Sequence, residues 1–394
     1  MPSQTAVHEE WEAFRLSLVR DDFLYRLQRR IGLIPAHGSG VVRRAVFWTT
    51  VTWLPLAIWA TVNGRIVAGE VPEALLQHLS VHARLLIGIP AFHLAEVLAG
   101  QVLDALLPYL ARSGVVPEAS LPTYRDVLRG IAKLRSRTLP WVVVMAIALG
   151  SVAYLAQSAG VEELAWARDP DGGLGFGAWW LLVGRVVFVV LLAAWLWRLV
   201  LLFLLFRRLS AIGLALAPTH ADRAAGLGFL ERVPTMFGPV VAGVSSVVAA
   251  HWGHLVLYHG VHVAELRNLM IALALILVFL FLTPNLAFGP LLRRTKRAAL
   301  YQYGTLVRQQ GRLVHERWVE EKPTETDGLL NAPELGPIAD LNAAYEAIAR
   351  MRTIPIGLPS VAAVLVPALI PMLPVLAIEV PIKELLKGLA KALM

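Results

Sequence analysis

The 394-residue sequence contains no cysteine, and only 16% of its residues are charged. The absence of cysteine excludes disulfide bonds, thiolate zinc sites, iron–sulfur clusters and thiol catalysis. The HExxH, GxSxG and Walker-loop motifs of common enzyme classes are missing as well. The sequence thus carries no enzymatic signature, and an enzyme is less favoured than a binding or transport protein.

Long apolar runs are the dominant feature of the chain. Hydrophobic residues make up 57% of it, above the roughly 45–50% of soluble domains, and they recur in runs long enough to cross a bilayer. The net charge is +8, but the basic residues flank these runs. They therefore indicate topology and contacts with the lipid bilayer and its anionic headgroups, and no nucleic acid. The sequence predicts an all-α, polytopic transmembrane helical bundle.

Six spans and a proline-broken seventh segment are expected, with amphipathic interfacial helices at both ends. The seventh segment is either one broken span or a re-entrant hairpin. The N-terminal helix lies either on the membrane surface or on the protein's own cytosolic part. The predicted parts are an N-terminal segment 1–44, a six-span bundle 45–292, a cytoplasmic insert 293–353, the broken segment 354–380 and an amphipathic C-terminal helix 381–394.

The lysine and arginine counts of the connecting segments predict the topology. Residues up to Arg44 carry seven, residues 111–138 six, residues 207–237 four and residues 293–353 ten, whereas the alternate segments carry two, one and one. Positive residues concentrate on the cytoplasmic side. The N-terminus is therefore expected in the cytoplasm. No cleavable signal peptide is evident, and the chain could assemble with copies of itself.

A polar stripe on the fifth span is the strongest functional clue. At helical spacing, five side chains fall within a stripe about 80° wide: His251, His254, Tyr258, His262 and Glu265. Ionisable side chains on a membrane helix are costly unless they face protein or water. The topology places this stripe toward the outer surface.

The second and fourth spans are predicted to complete the site. His93 and Glu96 lie in the outer half or middle of span 2. If the helix continues through Pro90, they share one face about 60° wide with His78 and His82. Arg185 lies within the hydrocarbon part of span 4 and needs an acidic partner. Glu96 is its first candidate and Glu265 its second.

Three interpretations of this cluster stay open. The first is a channel- or transporter-like protein whose outer vestibule conducts a cation or protons. The second is a redox protein that holds haem b or a divalent metal between His93 and either His251 or His254. The third is a non-transporting scaffold in which the histidines are polar packing.

A cytosolic loop, 218–230, is the most motif-like stretch, with His220, Asp222 and Arg223 beside two glycines. It could cradle a phosphate or form a tight connector that docks on neighbouring helices. Together with the proline-rich segment and the amphipathic tail, this loop resembles a family of bacterial integral membrane proteins with no known activity. In that family a proline and a glycine stand in place of Ala221 and Ala225. The resemblance implies the architecture and a bacterial inner membrane, and no chemistry.

Overall fold

The computed structural model describes residues 14–35, 38–67, 73–157, 166–169, 171, 173–320 and 336–379. All regular elements of these residues are helical. In chain order they are α1 (Phe23–Arg30), α2 (Val41–Val62), α3 (Leu79–His82), α4 (Ile89–Arg112), α5 (Leu121–Arg135), α6 (Leu139–Gln157), α7 (Phe176–Leu209), α8 (Gly238–Tyr258), α9 (Val263–Leu286), α10 (Gly289–Trp318), α11 (Gly336–Ala349), α12 (Leu358–Leu369) and α13 (Leu373–Glu379). A π-helical segment, Ala83–Gly88, joins α3 to α4.

Seven helical runs are long and apolar enough to cross a membrane. They are Val41–Val62, Leu79–Arg112, Glu118–Tyr154, Phe176–Leu209, Gly228–Tyr258, Val263–Leu286 and Leu358–Glu379. The predicted polytopic helical bundle is therefore confirmed. We call the end of the bundle where α2 begins the Arg44 end, and the end where α8 finishes the His254 end.

The proline-broken segment crosses the bundle from one end to the other. In its first turn Ser360 Oγ donates to the carbonyl of Glu231, just before α8. At its last residue the Glu379 carboxylate accepts from the amide of Val263, just after α8. Because α8 itself runs between those two points, Leu358–Glu379 is one broken span and not a re-entrant hairpin. The predicted C-terminal helix 381–394 lies outside the described residues.

The span Gly228–Tyr258, which contains α8, is the most enclosed of the seven: 61% of its most apolar stretch is buried, against 17–44% for the others. Helix α8 packs on the π-helical segment and on α3, α4 and α12. Gly243 permits the close approach, since a Cβ there would lie 3.3 Å from the Cα of Gly88. Residues at the end of α8 are consequently held against the chain that precedes α3.

The described part of the N-terminal segment packs on the protein itself. The Phe14 ring stacks on Tyr124 with centroids 5.5 Å apart. The Arg135 guanidinium donates to the carbonyl of Ser17. Asp22 caps α1 by accepting from the amide of Tyr25 at 2.7 Å. Residues 14–35 therefore pack on the Arg44 end of the bundle.

Candidate metal centre

His254 is oriented by a backbone carbonyl on the neighbouring chain segment. Its ring lies on the last turn of α8, and its Nδ1 is 2.8 Å from the carbonyl oxygen of Gln77. A carbonyl only accepts, so Nδ1 carries the proton and donates it. The Nε2 lone pair is then left to bind a ligand, as in histidines that hold a metal.

Two further ligand atoms meet this lone pair. His259 follows the end of α8, and its Nε2 lies 3.3 Å from His254 Nε2. Glu73 comes from the connection between the first two spans, with Oε2 3.3 Å from His254 Nε2. Its other oxygen, Oε1, lies 3.1 Å from His259 Nε2. One carboxylate and two imidazoles thus converge from two distant parts of the chain.

Two of the separations match those expected around a tetrahedral cation: His254 Nε2 lies 3.3 Å from Glu73 Oε2 and 3.3 Å from His259 Nε2. Ligand atoms about 2.0–2.1 Å from zinc lie roughly 3.3 Å from one another, because the edge of a tetrahedron is about 1.6 times its centre-to-corner distance. The three atoms of Glu73, His254 and His259 all lie within 4.8 Å of one another. The side chain of His254 is 7% exposed, whereas Glu73 and His259 are 24% and 28% exposed. The cluster is therefore enclosed at His254 and open to the surface of the protein at Glu73 and His259.

Aromatic contacts hold the His254 ring. His78 stacks on it at 5.2 Å and on Trp166 at 5.7 Å. His78 is 3% exposed, and its Nε2 lies 3.8 Å from Glu73 Oε2. The Tyr258 ring also contacts His254, with ring centroids 5.0 Å apart. These rings leave His254 little freedom to turn away from the cluster.

The predicted stripe is only partly assembled. Helix α8 ends at Tyr258, and a turn through Gly260 at φ +67° separates it from α9. The expectation of one continuous helix through Glu265 was therefore wrong. His251 and Glu265 are exposed on α8 and α9, and exposed His262 lies 3.3 Å from the Glu379 carboxylate.

His93 and Glu96 lie far from the histidine cluster. Glu96 follows His78 by 18 residues along α3, the π-helical segment and α4, which corresponds to about 25 Å. The π-helical segment also turns the chain by fewer degrees per residue than an α-helix, so the face shared with His78 is lost. The structure does not place His93 and Glu96 in one vestibule with His254. Nor does it bring His93, about 20 Å from His78, close enough to bind the same haem or metal as His254.

Glu96 instead belongs to a buried ion network at the Arg44 end. Its carboxylate lies 2.6 Å from Arg44 and 3.1 Å from Arg198. Arg198 also pairs with Asp22 at 2.8 Å, and all four side chains are at most 4% exposed. Arg185 precedes Arg198 by 13 residues on α7, about 20 Å along the helix. The expectation that Arg185 is the counter-charge of Glu96 was therefore wrong.

The loop 218–230 is a connector between neighbouring helices. Asp222 accepts from the amides of Ala224, Gly226 and Gly228 at 2.8, 3.1 and 2.7 Å. Burial alone would raise the pKa of Asp222, but these hydrogen bonds hold it below its ordinary value. The amides that a phosphate would need are thus occupied by the protein's own carboxylate.

Other groups of the loop contact the chain segment around Arg352. His220 Nδ1 lies 3.0 Å from Asp222, and the Arg223 carbonyl accepts from the amide of Arg352 at 2.7 Å. Arg352 also pairs with Glu231 at 2.5 Å. The loop is therefore tied to the chain that precedes the seventh span, as the connector interpretation predicts.

Sequence reasoning missed Glu73 and placed His259 outside the stripe. Glu73 sits in a connecting segment five residues before His78, and the histidines of that segment were the available signal. His259 does not share the helical face of His254, but the end of α8 lets its ring fold back. Comparisons with known protein families, curated proteins and solved structures give no match for this chain.

Proposed function

We propose that the protein is a metal-binding membrane protein that binds one divalent transition-metal cation at the His254 end. The observation that carries the proposal is that one ligand atom from each of Glu73, His254 and His259 lies within 4.8 Å of the other two, with the Nε2 atoms of the two histidines 3.3 Å apart.

The donor set favours borderline cations. Imidazole suits zinc, copper, iron and nickel, and a single carboxylate adds charge without demanding the six or more oxygens of calcium. Three protein ligands leave a fourth position for water or for a passing ligand, as in exchangeable or catalytic zinc sites. Partial exposure of Glu73 and His259 gives that position access to the aqueous phase. The topology predicted from lysine and arginine makes this the outer face.

Transport is the second candidate, and the same centre would serve it as the loading site. The exposure of the ligands on one side favours uptake from solution. At the opposite end of the bundle, Glu96 forms buried ion pairs with two arginines. Passage of a cation through the bundle would require these ion pairs to break. Zinc flux into proteoliposomes, abolished in a variant that lacks the centre, separates a transporter from a protein that only holds the ion.

Binding is tested on the purified full-length protein in neutral detergent. Isothermal titration with Zn²⁺ is expected to give one site per chain, and Co²⁺ is expected to give the visible spectrum of a tetrahedral complex. H254A and E73Q should each weaken binding at least a hundredfold. H262A is the matched control, because His262 is exposed at the same end and pairs with Glu379; it should bind within threefold of wild type.

Stability measurements keep the test independent of misfolding. Zinc at a hundredfold excess over Kd should stabilise the wild type by about 2.7 kcal/mol and leave H254A unchanged. Absence of stoichiometric binding in folded wild-type protein would refute the proposal. Equal Zn²⁺ affinity in the wild type and H254A would show that the metal binds at a different site, and would also refute the proposal.

A further inference from the structure

Helix α10 has two faces of different character. The inward face packs on α11, and Lys296 Nζ there donates to the carbonyls of Ala349 and Met351 at 2.8 and 2.7 Å. Ala299 and Gln310 are buried on the same face. At about 100° per residue, the opposite face forms a stripe roughly 80° wide. Its members are all exposed: Arg294, Arg297, Tyr301, Thr305, Arg308 and Arg312.

This stripe carries charge of a single sign. Residues 289–315 contain five arginines and one lysine and no acidic residue. Among the described residues, Arg294, Arg297 and Arg308 form no ion pair, whereas Arg312 pairs with Glu316 at 3.4 Å. Several unneutralised guanidinium groups in line on one helix face attract an extended anionic surface.

The stripe begins at the membrane. Only two residues separate the end of α9 from the start of α10, so the first turns of α10 lie at the level of the lipid headgroups. There Pro290, Arg293, Arg294, Arg297 and Tyr301 border a shallow cavity of about 440 Å³. Guanidinium groups bind phosphate oxygens in pairs, and tyrosine is favoured at the membrane interface.

We propose that this face of α10 binds the phosphodiester headgroups of anionic phospholipids. The cavity at its first turns holds one headgroup, and Arg308 extends the contact along the bilayer surface. The site is independent of the metal centre, because the whole of α9, Val263–Leu286, lies between His259 and the start of α10. Binding of anionic headgroups to this face holds the cytosolic insert against the membrane. The opposite face of α10 holds α11 through the hydrogen bonds of Lys296.

The test uses full-length, delipidated protein in neutral detergent. Dioleoylphosphatidylglycerol or dioleoylphosphatidylcholine is added, and bound lipids are counted by native mass spectrometry. The wild type is expected to prefer phosphatidylglycerol at least tenfold. Each arginine removed should weaken that binding about fivefold at low salt, so R294Q/R297Q/R308Q should lose it almost completely. R294K/R297K/R308K should bind more strongly than the triple glutamine variant and more weakly than the wild type, because the charge remains and the paired guanidinium hydrogen bonds are lost.

Two controls make the result decisive. R267Q removes an exposed arginine at the opposite end of the bundle and should bind phosphatidylglycerol as the wild type does. All these side chains are exposed, so the unfolding temperature of each variant should match the wild type. An unchanged phosphatidylglycerol preference in the triple glutamine variant would overturn the proposal. Displacement of the lipid by inorganic phosphate or glycerol 3-phosphate at equal concentration would also overturn it, in favour of a soluble phosphate ligand.

Discussion

Replacing Arg198 with methionine should destabilise the protein by about 3–5 kcal/mol, the usual cost of removing one partner from a buried ion pair. Arg198 bridges Asp22 at 2.8 Å and Glu96 at 3.1 Å, and its side chain is 2% exposed. The variant leaves two buried carboxylates with one cation, Arg44. Methionine fills a similar volume, so the cost measures the charge and not a cavity.

A double-mutant cycle isolates the contribution of Asp22. The variant D22N keeps a side-chain acceptor for the amide of Tyr25, and so keeps the cap of α1, while it removes the charge. In a D22N background the R198M substitution should cost about 1–3 kcal/mol less than in the wild type, because one of the two stranded charges is already gone. The control is R129M, which breaks an exposed pair with Asp126 and should cost well under 1 kcal/mol.

Equilibrium unfolding in mixed micelles, followed by circular dichroism, gives the free energies. Tryptophan fluorescence adds a local signal, because the Arg198 guanidinium lies 4.9 Å above the Trp195 ring. Limited trypsin digestion should cut the N-terminal segment faster in R198M, since Asp22 loses its anchor. A change below 1 kcal/mol in R198M, or strict additivity in the cycle, would refute the claim that this network fastens the segment to the bundle.

Two further predictions concern the end of the bundle that holds the loop. The folded-state pKa of Asp222 lies below its ordinary value, so its contribution to stability is complete above about pH 4 and is lost as the pH falls further. D222N should therefore be less stable than the wild type at pH 6, with a difference in unfolding temperature that shrinks toward pH 3; a constant difference would contradict this. Asn285 is fully buried and its Nδ2 donates to the carbonyls of Leu230 and Pro355 at 3.0 and 2.9 Å. N285A should cost about 2–4 kcal/mol in the same unfolding assay, because two buried carbonyls lose their donor, and wild-type stability in N285A would refute this account.

The fold was predictable because membrane spans depend on local composition. Length and apolarity identify a span without any knowledge of its neighbours, and the sequence analysis found all seven. The choice between a broken span and a hairpin was not open to the same reasoning. It depended on contacts of Ser360 and Glu379 with residues more than a hundred positions away.

The site was only partly predictable, for two physical reasons. Helical periodicity relates residues on one uninterrupted helix, and it fails where α8 ends at Tyr258 and where the π-helical segment follows His82. It also cannot reveal a partner on another segment, such as Glu73 for His254. Of the five residues in the predicted stripe, only His254 both lies on α8 and is buried in the protein. It is also the only one of the five that belongs to the metal-ligand cluster of the described residues.

The contact between Asp22 and Arg198 joins residues 176 positions apart. Chains emerge from the ribosome at about 5–20 residues per second, so the N-terminal segment exists for roughly 10–35 s before its anchor is synthesised. Three spans must be inserted, and a fourth must be largely synthesised, before Asp22 can form its ion pair with Arg198. Residues 14–35 thus reach their final place only after roughly half of the sequence has been made. Their docking then reports that the first four spans have assembled correctly.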